Sequence, residues 1–170
     1  ARSEWRVDAN SRYFYYTPNE TVNGIQLKNC PEVDAPVIAD MTSCLLMEPL
    51  DIDRYSLIFA GAQKNIANAG LTIVIVRDDL LHSIQKNDIP TMLDYRTHVD
   101  NHSLYATPPT FNCYLAQKMC QWIKDEGGVD ELYKVNSQKA AALYQYIDKS
   151  PFYHCAVQEN SRSIVNICFS

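Results

Sequence analysis

Lys64 and Asp40 are the residues whose types and settings suit covalent and acid–base chemistry. Lys64 lies in Ala60-Gly61-Ala62-Gln63-Lys64-Asn65, just after an apolar run, and Gly70 opens the way to the next run. A lysine in such a small-residue loop can be drawn close to a ligand carbonyl. Partial burial at such a place would lower its pKa and free the amine for Schiff-base formation. Asp40 closes another apolar run, Pro36-Val37-Ile38-Ala39-Asp40. In open α/β sheets, ligands gather beyond the carboxyl ends of the strands. The same residues also read as a solvated loop lysine and a strand-end or cap carboxylate, since most lysines are exposed. The Gly61 to Asn65 loop lacks G-x-x-x-x-G-K-[ST] spacing, and no G-x-G-x-x-G fingerprint occurs.

The elements that must position these residues are short apolar runs. Residues 12–16 are aromatic-rich and predict a strand, followed by turn chemistry at Pro18-Asn19-Glu20. Residues 36–40, 56–60 and 71–77 are continuous apolar runs, the pattern of strands buried on both faces. A short helix is expected over 78–84. Residues 111–124 carry Tyr114, Leu115, Lys118, Met119 and Trp122 at helical spacing, and Gly127-Gly128 stops that helix. Residues 129–147 form a second helix, with Leu132, Val135, Ala140, Leu143, Tyr144 and Ile147 on its apolar side and Ser150-Pro151 at its end. Residues 163–169 predict a last strand. Pro108-Pro109 excludes regular structure beside it. The fold class is therefore α/β: a mixed, mostly parallel sheet flanked by helices.

Composition narrows the function. The chain has 170 residues, enough for one domain or a large piece of one, and its net charge of −5 argues against non-specific nucleic-acid binding and a polybasic membrane patch. No apolar run approaches the roughly 18 residues of a membrane helix. The start has neither a signal-peptide core nor a Met, so the chain is expected to begin inside a longer parent. Six scattered cysteines without C-x-x-C spacing are expected to be reduced, mostly buried thiols of a cytoplasmic protein, with no metal site. The four histidines show no metal-ligand spacing, and the sequons at Asn19 and Asn101 are expected to be chance matches. Trp5 and Trp122 are expected to pack rather than to stack on a ligand, and the cluster Asp51-Ile52-Asp53-Arg54 to open a solvated helix.

The run from Tyr55 to Leu81, with Gly61-Ala62-Gln63-Lys64-Asn65 inside it, closely resembles the cofactor-lysine segment of phosphoserine aminotransferases. These belong to the class V branch of fold-type I pyridoxal-phosphate enzymes. Pro18-Asn-Glu-Thr-Val-Asn-Gly24, Ala39-Asp-Met-Thr-Ser43, Leu104-Tyr-Ala-Thr-Pro-Pro-Thr-Phe111 and Trp122-Ile-Lys-Asp-Glu-Gly-Gly128 agree in order. The resemblance covers essentially the whole chain, as an internal fragment of the family. It implies that Lys64 carries pyridoxal phosphate and moves the proton between substrate Cα and cofactor C4′. It implies that Asp40 pairs with the pyridine nitrogen, that Thr21 contacts the cofactor ring, and that Gln63 binds the phosphate. It also implies that Thr107 reaches the phosphate from the partner of a homodimer with a shared active site. His98 and His102 are weaker candidates for substrate phosphate. The implied reaction converts 3-phosphohydroxypyruvate and glutamate to phosphoserine and 2-oxoglutarate in serine biosynthesis, with vitamin B6 biosynthesis as a further role. Residues 1–150 would belong to the large domain, and 151–170 would begin the small C-terminal domain.

Ala106 departs from the family, which usually has Asn before Thr-Pro-Pro, and one phosphate hydrogen bond is lost with it. Ala67 and Asn68 also differ from the usual residues of their loop. The family's phosphate-binding loop, ring-stacking aromatic and substrate arginine lie in segments outside this sequence. The fragment alone is therefore expected not to transaminate. Two other readings stand beside this one: another class V pyridoxal-phosphate enzyme, or a truncated domain without catalysis.

Overall fold

The computed structural model describes residues 7–83 and 89–170. Its centre is a four-stranded sheet in the order β1-β4-β5-β6, from β1 (Phe14–Tyr16), β4 (Val37–Asp40), β5 (Leu57–Gly61) and β6 (Thr72–Val76). The first three are parallel, with Tyr16 opposite Ala39 and Asp40 opposite Phe59; β6 runs antiparallel to β5. The sheet is thus mixed and mostly parallel, as the sequence predicts. Period-2 alternation decides the faces. Tyr16, Val37, Ala39, Ile58 and Ala60 are buried in one apolar cluster with Met41, Leu45, Met47 and Ile66. Asp40 is half-buried on the opposite face, where the Tyr15 and Phe59 rings stack with centroids 6.4 Å apart.

Helix α1 (Asp78–Ser83) follows β6 directly; Ile84, expected to end it, lies outside the described residues, as does Trp5. The acidic cluster is a single 3-10 turn, Ile52–Arg54, and is exposed as expected. Helices α2 (Tyr95–Asp100), α3 (Thr110–Asp125) and α4 (Val129–Lys149) complete the chain. Gly127 and Gly128 adopt positive φ between α3 and α4. Among the described residues, no helix is long and apolar enough to cross a membrane.

Several expectations are corrected. Helix α3 starts immediately after Pro109, which serves as its N-cap residue, so the proline pair introduces a helix rather than excluding one. Strand β6 is not buried on both faces: Thr72 is exposed and Ile73 to Val76 are half-buried. Trp122 does not pack inside; 48% of it is exposed, and Ile123 is the buried residue of α3. On α4 only Ala140, Tyr144 and Ile147 of the expected stripe are buried. The cysteines are all free, but only Cys30, Cys44 and Cys155 are buried.

The segment Pro18-Asn19-Glu20 is not a turn. Asn19–Glu20 forms β2, which pairs antiparallel with β3 (Ile25–Gln26), and the turn comes at residues 21–24. Gly24 is required there: its φ is 71°, and a Cβ would collide with the Asn166 carbonyl oxygen. Residues 163–169 are irregular, with a bend at 164–165, and form no strand. Ser163 N–H still goes to the Gly24 carbonyl (2.9 Å), but the next amides go to side chains instead of a ladder: Ile164 N–H to Gln26 Oε1 (3.3 Å), and Val165 and Asn166 N–H to Ser163 Oγ (3.2 and 3.1 Å).

Asn19 is the hub of that arrangement. It is 1% exposed, so its sequon is closed to modification in the folded chain. Its Nδ2 donates to Ser43 Oγ (2.8 Å) and Asn166 Oδ1 (2.7 Å), and its Oδ1 accepts from Ser163 Oγ (2.6 Å). Removing one member strands buried polar groups at about 1–3 kcal/mol each. Asn19→Ala is therefore expected to lower unfolding free energy by about 2–4 kcal/mol, measured by urea denaturation. A loss below about 1 kcal/mol would show that water replaces the network.

Candidate functional site

The parallel strands β1, β4 and β5 send their carboxyl ends to one edge of the sheet, and most of the predicted site residues follow them. Asp40 is the last residue of β4. Its Oδ1 accepts the Thr42 N–H at 2.9 Å, which fixes the carboxylate by one oxygen. Strand β5 ends at Gly61 and passes into the turn that carries Gln63 and Lys64. The turn closes on Ala62, whose carbonyl accepts from Ile66 N (3.0 Å) and Ala67 N (2.8 Å). Buried Ala62 and Ile66 anchor it, so Gln63, Lys64 and Asn65 are presented outward and exposed.

Gly61 has a specific task in this turn. The Gln63 side-chain amide folds back against its backbone, with Oε1 nearest and Nε2 2.9 Å from where a Cβ would stand. A larger residue would push away the flexible Gln63 amide rather than the fold. The glycine thus leaves room for the Gln63 amide beside Lys64.

Thr21 lies in the β2–β3 turn, half-buried. Two residues before it, Asn19 exchanges hydrogen bonds with Ser43, which follows Asp40 by three; Ser43 Oγ also donates to Asn19 O at 2.8 Å. The structure therefore gathers Thr21, Asp40, Gln63 and Lys64 at one end of the sheet. It does not bring Thr107 to them: Thr107 and Ala106 are exposed between α2 and α3, and among the described residues no hydrogen bond joins Thr107 to that group. His98 Nε2 pairs with the Met92 carbonyl at 3.0 Å, and His102 sits exposed in a turn.

The electrostatics separate acid–base candidates from inert groups. Burial, and then the charges of Glu48 and Asp40, push the Cys44 thiol up to about 12, so it stays neutral and is no nucleophile. Burial also raises the Glu48 carboxyl, while the Gln26 amide at 3.1 Å and the Lys28 charge pull it down. The folded chain then holds the Glu48 proton more tightly than the unfolded chain. Stability from this group falls as pH rises above the ordinary 4.5 through the raised value. Glu48→Gln keeps an oxygen acceptor for Gln26 and removes that dependence. Melting temperatures from acid to neutral pH are expected to show the variant gaining on the wild type as pH rises. A constant difference would contradict the assignment.

Comparison with known proteins decides the family. The aminotransferase class-V family model matches residues 1–170. The chain belongs to the class-V aminotransferases. The phosphoserine aminotransferase of Legionella pneumophila (strain Philadelphia 1) is 56% identical over 168 residues, covering 98% of this chain and 46% of its own length. The pyridoxal-phosphate-bound phosphoserine aminotransferase of Trichomonas vaginalis superposes with TM-score 0.94 at 39% identity, over 99% of this chain and 47% of that one. That of Bacillus circulans subsp. alkalophilus gives TM-score 0.94 at 41% identity, with 99% and 47% covered. The chain spans about half the length of the curated relatives it matches.

Within this class-V aminotransferase, sequence reasoning passes over two residues that the geometry singles out. Thr42 Oγ1 accepts the Gly61 N–H at 3.2 Å, and Asn65 Nδ2 donates to Leu45 O at 2.8 Å. Both join the Asp40 loop to the Lys64 turn. Only their nearness to Asp40 and Lys64 in the sequence could have marked them.

Proposed function

We propose that this class-V aminotransferase chain is the cofactor-lysine part of a phosphoserine aminotransferase. The observation that carries the reading is the pairing of Lys64 and Asp40 at neighbouring carboxyl strand ends, within a chain 56% identical to a phosphoserine aminotransferase. The donor set fits pyridoxal phosphate. It offers a primary amine on an outward turn, a carboxylate with one oxygen already held, and an amide laid over a glycine backbone.

Pyridoxal phosphate, when bound, supplies the electron sink for removal of the substrate Cα proton. The Lys64 amine holds the cofactor and carries a proton between substrate Cα and cofactor C4′. The Asp40 carboxylate keeps a proton on the ring nitrogen, with Thr42 N–H holding Oδ1 and leaving Oδ2 for that contact. Gln63 donates its amide to the phosphate, and the Thr21 hydroxyl reaches the ring's oxygen side. Thr107 serves the site of a second subunit in a homodimer, which suits its exposure ahead of α3. The amino group passes from glutamate to 3-phosphohydroxypyruvate, giving phosphoserine and 2-oxoglutarate for serine biosynthesis in the cytoplasm. Residues 151–170 open the smaller domain; their Cys155, Val157 and Ile167 pack on α4 in a cluster separate from that of the sheet.

The test uses the full-length enzyme, purified and loaded with pyridoxal phosphate. Formation of 2-oxoglutarate from glutamate is expected to depend on 3-phosphohydroxypyruvate. Turnover with glyoxylate as acceptor, and none with the phosphorylated keto acid, would replace this reading by another class-V activity. A colourless protein that binds no cofactor would remove the catalytic reading.

A further inference from the structure

We propose that Thr42 and Asn65 are positioning residues that fix the spacing between Asp40 and Lys64, an inference that rests on the pyridoxal-phosphate reading above. The backbone ladder between β4 and β5 runs through Asp40, which pairs with Phe59, and ends with Met41 N–H to Phe59 O at 2.8 Å, short of Lys64. Beyond it the two strands pass into separate turns, one directly after Asp40 and one carrying Lys64. Side chains take over there. Thr42 acts twice, donating its N–H to Asp40 Oδ1 at 2.9 Å and accepting the Gly61 N–H on Oγ1 at 3.2 Å. One residue therefore orients the carboxylate and holds the entry to the lysine turn.

Asn65 closes the other side. It is the residue after Lys64, and its Nδ2 reaches Leu45 O at 2.8 Å. Leu46, which follows that carbonyl, has φ 65°, a left-handed conformation that a leucine adopts only when its surroundings hold it. The two straps bracket Lys64, one before and one after it. Apart from them, this part of the fold has its buried cluster and its backbone ladder. What the straps add is the relative placement of two groups that must act on one ligand, where a displacement of about 1 Å costs up to about 10²-fold in rate.

The experiment compares Thr42→Val, Thr42→Ser and Asn65→Ala in the full-length enzyme. Valine keeps the shape and the backbone N–H but removes the acceptor for Gly61; serine restores it. Thr42→Val is expected to lower kcat about 10²-fold with substrate KM little changed. It is expected to weaken pyridoxal-phosphate retention, read by visible absorbance after equilibrium dialysis, by about 10-fold. Thr42→Ser is expected to recover both, and Asn65→Ala to lower kcat in the same sense. If Thr42→Val melts early, Asn65→Ala decides, because it tests the second strap alone. Either variant with wild-type kcat and cofactor retention overturns the proposal, as does a serine variant no better than valine. A wild-type enzyme that attaches no pyridoxal phosphate at Lys64 overturns this inference and the reading beneath it together.

Discussion

Borohydride reduction of the full-length enzyme with pyridoxal phosphate is expected to fix the cofactor to Lys64 and to no other lysine. Lys64→Ala is expected to abolish that adduct and to cut transamination by more than about 10³-fold, since in the proposed reaction the same amine carries the substrate proton. The strongest internal rival is Lys118, which lines the same surface depression as Lys64. It sits on α3, however, with its ammonium 5.3 Å from the centroid of the Tyr114 ring. Lys28 and Lys139 are exposed on other elements, and neither stands at the carboxyl end of a parallel strand. Peptide mapping that places the reduced adduct on Lys28, Lys118 or Lys139 would end the assignment.

Asp40→Ala is expected to lower turnover by about 10²–10³-fold, the size seen when a preorganised electrostatic partner is removed. The same change is expected to leave folding almost untouched, because Asp40 is half-buried and its hydrogen bond to Thr42 N–H closes only a local turn. Asp40→Asn sharpens the test. The amide oxygen still accepts from Thr42, so the loop is preserved while the charge proposed to keep the ring nitrogen protonated is lost. Both variants are expected to bind cofactor, to melt within a few degrees of the wild type, and to be slow. Near-normal turnover in either would remove Asp40 from the mechanism.

These two residues were legible because Asp40 ends one continuous apolar run and Lys64 closely follows another, and such runs pair as parallel strands with their carboxyl ends together. The same logic mistook residues 163–169. An apolar run does not reveal that its amides will be taken by Gln26 and Ser163 side chains instead of a neighbouring strand. It mistook Asn19–Glu20 as well, since turn-prone residues can pair when a tight turn follows and a buried asparagine has partners. Trp122 showed helical spacing and still lies largely exposed, because spacing gives a stripe but not what the stripe faces. Thr42 and Asn65 lay inside segments that carried the resemblance, but nothing in residue type or period gave their roles, which arise only when two turns meet.

The bond between Ser163 Oγ and Asn19 Oδ1 joins residues separated by 144 positions. Closing a loop of that length costs about 4 kcal/mol of chain entropy by the logarithmic scaling with loop size. Most of the sheet can assemble from shorter separations, with β5 and β6 nearest in sequence. The clamp on the β2–β3 hairpin therefore belongs to the late steps of folding. During synthesis, the turn that carries Thr21 leaves the ribosome long before the residues that lock it. The nascent chain would then have its lysine and aspartate strands in register while Thr21 still waits for the far end to arrive.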